Sequence, residues 1–187
     1  MHYEVEKRAL LKSDVDFNRI KRFLYKQGKF LGKKNLKTLL FRKPTYLRFR
    51  SFCDVQKQRA EVTFKSGDYG MLSRKEINLD INPKQITDFI ELLKAVGYKK
   101  GVFIKTERHY YKFRGLLVEL NKIDYLGKIV EVEGLTNDKR KVGGLRKKID
   151  DILEILQVQE LSGEDYQGMM DDMFKKGLKK INEHELK

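Results

Sequence analysis

The chain has 187 residues, 40% of them hydrophobic and 36% charged, with a formal net charge of +14. Its length fits one domain, or one with a small extension, and suffices to bury a sizeable core. The charge points to an anionic partner such as nucleic acid, nucleotide, polyphosphate or an acidic membrane surface. The single cysteine, Cys53, excludes an internal disulfide, and no apolar run resembles a signal peptide or approaches the ~18 residues of a membrane span. A cytoplasmic location is expected.

Tyr3-Glu4-Val5-Glu6-Lys7-Arg8 opens the chain as a strand. Side chains alternate between strand faces, so Glu4, Glu6 and Arg8 share one side, and Tyr3, Val5, Lys7 and Ala9 the other. At roughly 3.3 Å rise per residue, Glu4 and Glu6 stand about 6.5 Å apart. That spacing suits two carboxylates reaching toward a shared metal beside a cation. A solvated strand face is the plainer alternative. Asp14 or Asp16 then caps a helix to about Gln27, with Ile20, Phe23 and Leu24 on its buried stripe and Gly28 and Gly32 at its exit. Lys33, Lys34 and Lys37 fall in a solvated loop or strand edge, and Leu39 to Phe41 form a short strand.

Charged alternation returns three times. Over 45–53, Arg48 and Arg50 share a face with Tyr46 and Phe52, opposite Leu47, Phe49 and Cys53. Over 59–65, Arg59, Glu61, Thr63 and Lys65 oppose Ala60, Val62 and Phe64. Ser66 to Gly70 make a turn or loop. Over 73–81, Arg74, Glu76, Asn78 and Asp80 oppose Ile77, Leu79 and Ile81. Asn82 and Pro83 open a helix carrying Ile86, Phe89, Ile90, Leu93 and Val96, and Gly97 ends it. Strands follow at 102–112, with Thr106, Arg108 and Tyr110 on one face, and at 115–122, with Glu119 and Asn121 opposite Val118 and Leu120. After a bend at Leu126-Gly127, a strand over 129–135 turns Glu131 and Glu133 away from Val130 and Val132. A helix over 140–158 presents Leu145, Ile149, Ile152, Leu153 and Leu156. Ser162 and Asp165 have capping-box spacing before a short helix with Tyr166, Met169, Met170 and Phe174, residues suited to packing. Residues 1–174 form the domain, and 175–187 a charged, frayed tail.

Most strands thus carry one apolar face and one rich in Arg and Glu. With helices covering the apolar side, the expected fold class is α+β. If the sheet closes into an antiparallel barrel, the charged faces line a lumen and the helices pack outside. Charges so enclosed are costly unless paired, wet or bound to ions. A cation held by the acids and a polyanion held by the guanidiniums would satisfy both sets.

In this order the motifs resemble those of the CYTH family, the triphosphate tunnel metalloenzymes, which include class IV adenylyl cyclases, thiamine triphosphatases and inorganic triphosphatases. Glu4-Val5-Glu6-Lys7-Arg8 is similar to the family's E-x-E-x-K, Leu47-Arg48-Phe49-Arg50 to its R-x-R strand, and Thr63-Phe64-Lys65 to its next basic strand. Arg74-Lys75-Glu76-Ile77-Asn78 resembles R-x-E-x-E, and Val118 to Gly127 with Glu131-Val132-Glu133 resembles the acidic strand, Leu-Gly bend and closing E-x-E. The likeness spans about residues 3–174. Three positions depart from it. Arg8 replaces a lysine; a guanidinium stays protonated, so it can clamp phosphate and cannot act as a general base. Asn78 replaces an acid, and Asn121 stands where aspartate is common. Lys105 has the wrong parity for the match around Arg108.

The resemblance implies a metal-dependent phosphohydrolase acting on inorganic triphosphate, thiamine triphosphate or a nucleoside triphosphate. Mg²⁺ or Mn²⁺ would be held by Glu4, Glu6, Glu131 and Glu133, with Glu119 as helper. Arg8, Arg48, Arg50, Lys65, Arg74 and Arg108 would hold phosphate oxygens, and Glu76 would orient a cation or a water. Glu4, Glu6, Arg8, Arg50, Lys65 and Glu76 form the expected catalytic group. A cyclase producing cyclic AMP and pyrophosphate could use the same clamp; hydrolysis is favoured because no adenine pocket is legible. A non-catalytic polyanion or nucleic-acid binder is the reading of another class, suggested by charge alone. No membrane partner is expected, and the chain would be a monomer or homodimer. His2, His109 and His184 lack zinc-like spacing, no C-x-x-C occurs, and there is no phosphate-binding glycine loop of the Walker type.

Overall fold

The computed structural model describes residues 3–42, 46–52, 59–66 and 75–182, with the backbone alone at 52, 59, 65, 66, 75, 76 and 83. The order is β1 (Tyr3–Leu11), α1 (Asp14–Gln27), β2 (Lys29–Phe41), β3 (Leu47–Phe52), β4 (Arg59–Ser66), β5 (Lys75–Ile81), α2 (Ile86–Ala95), β6 (Lys100–Phe113), β7 (Leu116–Ile123), β8 (Gly127–Thr136), α3 (Val142–Ile155), α4 (Gly163–Gly177) and β9 (Leu178–Lys180). The expected α+β class is the one observed. Cys53 and the loop residues Gly67 to Gly70 lie outside the described residues.

Several local expectations change. Ser13, and not an aspartate, caps α1: its Oγ accepts from the Asp16 N–H at 3.1 Å. Lys33, Lys34 and Lys37, expected in a solvated loop or at a strand edge, lie within β2, whose 13 residues begin well before the short strand expected over Leu39 to Phe41. The first half of β2 shows no apolar alternation because its residues are largely exposed on both faces, and the lysines there give no periodic signal. The last long helix ends at Ile155, and the expected frayed tail contains the end of α4 and then β9, paired with β6 through Leu178 opposite Val102. Ser162 does cap α4, accepting from Asp165 N–H at 3.0 Å. Pro83 opens a 3₁₀ turn over Pro83–Gln85 ahead of α2, with the Asn82 side chain accepting from Lys84 N–H at 3.0 Å.

The strand order is β1-β8-β7-β6-β2-β3-β4-β5, with β9 beside β6. Among the described residues no ladder joins β1 to β5, so hydrogen bonds do not close the sheet as the expected barrel required. The reason the sequence misleads is physical: alternation fixes the face a side chain takes, and it is identical in an open and a closed sheet. The chain divides into two compact units, Met1–Lys33 with Glu107–Tyr166, and Lys34–Thr106 with Gln167–Lys187.

In the first unit, Val5, Ala9, Val118, Leu120, Val130 and Val132 of the sheet pack on Ile20 and Leu24 of α1 and Ile149, Ile152 and Leu153 of α3. Fully burying one such aliphatic side chain is worth about 1.5–3 kcal/mol. Gly28, just after α1, allows the helix exit to touch β6: a Cβ there would lie 2.9 Å from the Leu24 carbonyl oxygen and 3.1 Å from that of Lys112. In the second unit, Leu39, Phe41, Leu47, Phe49, Ala60 and Val62 pack on Ile86, Ile90 and Leu93 of α2. Phe49 stacks on Phe89 at 5.7 Å, and Phe41 meets Tyr98 edge-on at 5.0 Å. Gly28→Ala should therefore destabilise the protein by about 1–3 kcal/mol, read as a lower Tm with unchanged circular dichroism below the transition.

Candidate active site

The apolar face of the first unit's sheet is committed to its helices, which leaves the opposite face for chemistry. Register assembles that face. Arg8 on β1 stands opposite Glu131 on β8, Glu6 opposite Glu133, and Glu119 on β7 opposite Glu131. Directly opposed residues in an antiparallel pair project to the same side, so charges spread along the sequence become neighbours.

Glu131 sits at the middle. Arg8 Nε donates to its Oε1 at 2.9 Å, Arg108 Nη2 lies 3.8 Å from its Oε2, and the Asn121 side-chain amide donates to Oε2 at 3.3 Å. Arg8 also pairs with Glu6, and Arg108 with Glu119 at 2.6 Å. The Glu131 side chain is only 13% exposed, and that of Arg108 14%. Aromatic rings back both cations: Arg8 lies over Tyr166 at 4.7 Å and Arg108 over Tyr110 at 5.9 Å. Tyr166, which the sequence offers only as a packing residue, thus touches the site. Its signal was a tyrosine in the first turn of a capped helix, which does not say what it meets.

Burial raises the pKa of both acids, and the flanking guanidiniums set them apart. Burial raises Glu119 to about 7, with Glu131 and Glu133 adding to the rise and Arg108 opposing it. Burial acts on Glu131 in the same sense, but Arg8 and Arg108 outweigh it and hold that carboxyl below its ordinary range. When Glu119 carries its proton, the two acids together hold one negative charge beside two guanidiniums.

Glu4, Glu6, Arg8, Arg108, Glu119, Glu131 and Glu133 therefore occupy one face of the first unit, with Glu4 solvent-exposed. Among the described residues, no three acids, histidines or cysteines are gathered closely enough to hold a metal as they stand. The donor set still fits a hard divalent cation. All five carboxylates offer oxygen, and the buried Asn121 Oδ1 has no hydrogen-bond partner among the described residues.

The second unit carries its own polar row. Arg48 stands opposite Thr63, and Arg50 opposite Glu61. Arg48 Nη2 donates to Thr63 Oγ1 at 3.0 Å and lies 3.9 Å from Glu61 Oε1, to which the Thr63 hydroxyl donates at 3.2 Å. Glu61 and Thr63, absent from the expected site, are the groups that hold Arg48; their shared parity in β4 was the available clue. Lys65 and Glu76 are opposed in the β4–β5 backbone register, but their side chains, and all of Arg74, lie outside the described residues.

With this geometry in hand, the comparisons decide the family. The sequence profile of the CYTH domain matches residues 2–165. The chain belongs to the CYTH family. Its members are in general metal-dependent enzymes acting on triphosphate compounds. No curated protein matches the sequence. Among solved structures, the chain is similar to the PH1819 protein of Pyrococcus horikoshii, at TM-score 0.75 and 22% identity over 91% of this chain and 99% of that one. It is also similar to the PH1012 protein of that organism, at TM-score 0.63 and 22% identity over 83% and 91%. A candidate adenylate cyclase of Vibrio parahaemolyticus matches at TM-score 0.66 and 14% identity, over 90% and 98%. At these identities the likenesses show a shared CYTH-type fold. Among the described residues, no helix is long and apolar enough to cross a membrane.

A pH dependence follows from Glu119. Unfolded, it titrates near 4.5; folded, at about 7. The proton is held more tightly by the folded chain, so this contribution is complete below about 4.5 and is lost as pH rises through about 7. Its size is of the order of 3 kcal/mol. In the presence of EDTA, the fall in Tm from pH 5.5 to pH 8 should be several degrees smaller in Glu119→Gln than in the parent.

Proposed function

We propose that the chain hydrolyses the phosphoanhydride bond of a triphosphate compound in a divalent-cation-dependent reaction. The observation that carries this is the buried Glu131 held between Arg8 and Arg108. A carboxylate so placed gives the site a fixed negative charge for a cation, next to fixed positive charges for phosphate oxygens.

Glu4, Glu6, Glu119, Glu131 and Glu133 would hold Mg²⁺ or Mn²⁺, and the ion, when bound, would withdraw charge from the phosphate and acidify a water. Arg8 and Arg108 would face competition from a cation for the carboxylates they now pair with, which would leave both guanidiniums freer for phosphate. Each guanidinium then has donors for phosphate oxygens, and its charge grows in value as the leaving oxygen gains electrons. Arg8 cannot accept a proton, so it orients and stabilises only. In the second unit, Arg48, Arg50, Lys65 and Arg74 are further phosphate-binding residues in this reading, with Glu76 orienting a cation or a water.

A cyclase reaction, in which the ribose hydroxyl attacks the α-phosphorus, is the second reading, favoured by the fold shared with the candidate adenylate cyclase. Incubation of the purified protein with tripolyphosphate, thiamine triphosphate and ATP separates the two. Hydrolysis yields orthophosphate, and cyclisation of ATP yields cyclic AMP with pyrophosphate. We expect orthophosphate, its release abolished by EDTA and restored by Mg²⁺ or Mn²⁺. Glu131→Gln should lower kcat by about 10²–10³-fold, the scale of losing one preorganised electrostatic group. Cyclic AMP from ATP without orthophosphate would reverse the order of the readings.

A further inference from the structure

The candidate site uses one face of the first unit; the far side of α1 and the start of β2 carry a second set of groups that it leaves idle. Residues 17–33 contain six cations, Arg19, Lys21, Arg22, Lys26, Lys29 and Lys33, and no acid. Arg19 is occupied with the Leu156 carbonyl, Lys33 with Glu107 at 2.6 Å, and Lys21 is half-buried; Lys26, Lys29 and Arg22, whose Nε donates to the Asn18 carbonyl of its own helix, are exposed. Beside them stand two solvent-facing rings, Tyr25 at 68% exposure and Phe30 at 42%, with centroids 6.2 Å apart. Phe30 does not swing freely: its inner side rests on Tyr111 at 5.3 Å and His109 at 6.5 Å. Leu31, 50% exposed, extends the patch.

Single exposed apolar residues are ordinary. Two adjacent rings, one of them backed by buried side chains, at the end of a helix whose exposed side is basic, are a different arrangement. Rings offer faces to bases and cations follow a phosphate backbone, the combination that binds single strands without reading sequence. A duplex hides its base faces and would leave the rings unused. An anionic membrane fits less well, because a helix that lies on lipid inserts its apolar stripe. Here that stripe, Phe17, Ile20 and Leu24, is already buried in the core.

We infer that the α1–β2 surface of this chain, Arg22, Tyr25, Lys26, Lys29 and Phe30, binds single-stranded nucleic acid. The surface is separate from the carboxylate–guanidinium face and does not depend on the proposed hydrolysis. It is tested with the full-length protein in EDTA, by fluorescence anisotropy of a labelled oligouridylate of about 20 nucleotides, with oligothymidylate as the DNA arm and phosphatidylcholine vesicles containing phosphatidylserine as the lipid arm. Binding should weaken steeply between about 50 and about 200 mM salt. Tyr25→Ala should weaken it roughly tenfold, within the range of one stacked base. The triple change Arg22→Gln, Lys26→Gln, Lys29→Gln should flatten the salt dependence. Both variants should keep the parent's Tm and its tripolyphosphate turnover, while Arg108→Ala should bind the oligonucleotide as the parent does. Overturning results are no oligonucleotide binding, binding unchanged in both surface variants, loss confined to Arg108→Ala, or vesicles bound in preference to both oligonucleotides.

Discussion

A carboxylate enclosed by protein must be neutralised, and at Glu131 two guanidiniums do so. Each ion taken out of water carries a penalty of several kcal/mol even after relaxation, recovered only when partners are close and well aligned. Arg8 comes from β1, Arg108 from β6 and Asn121 from β7, so three strands must be correctly placed around β8 for Glu131 to be satisfied. A slip of one residue in any ladder would turn its charges onto the helices and its valines onto the charged face. The ion cluster therefore fixes the register of the strands that carry the candidate site.

The core and the candidate site are separated by face. The stability of the first unit comes from Val118, Leu120, Val130 and Val132 against α1 and α3, none of which touches the charged side. Every second residue of the same strands is left free of packing duties. That freedom is what allows Glu119 to sit where burial favours its protonated form, holding a proton it would shed in water. The idle charge and the idle ring surface on α1 and β2 arise from the same economy, since helix and strand exteriors are not needed for the core.

Much of this was legible in advance. The parity of Glu4, Glu6, Arg8, Arg108, Glu119, Glu131 and Glu133 could be read from alternation, because a strand's period of two leaves no third choice of face. What alternation omits is distance and closure. It placed Glu61 and Thr63 on the right side of β4 without revealing that they hold Arg48. It could not reveal that Tyr166, far along the chain, lies against Arg8. β2 is mostly invisible to alternation since its first half lacks an apolar face, and Ser13 competes for the cap with Asp14 and Asp16, which cap equally well by type.

One further contact concerns the end of the sheet. β1 ends the hydrogen-bonded strand order, and an edge strand offers its backbone to any extended chain that approaches. At Arg8 the carbonyl is already taken, accepting from the Leu161 N–H at 2.7 Å, while Lys7 reaches out to Asp150 and Glu160 at 2.6 Å each. The segment that delivers Tyr166 to the arginine thereby also shields the border of the sheet, so that what orients a charged side chain doubles as a guard against unwanted strand-to-strand association.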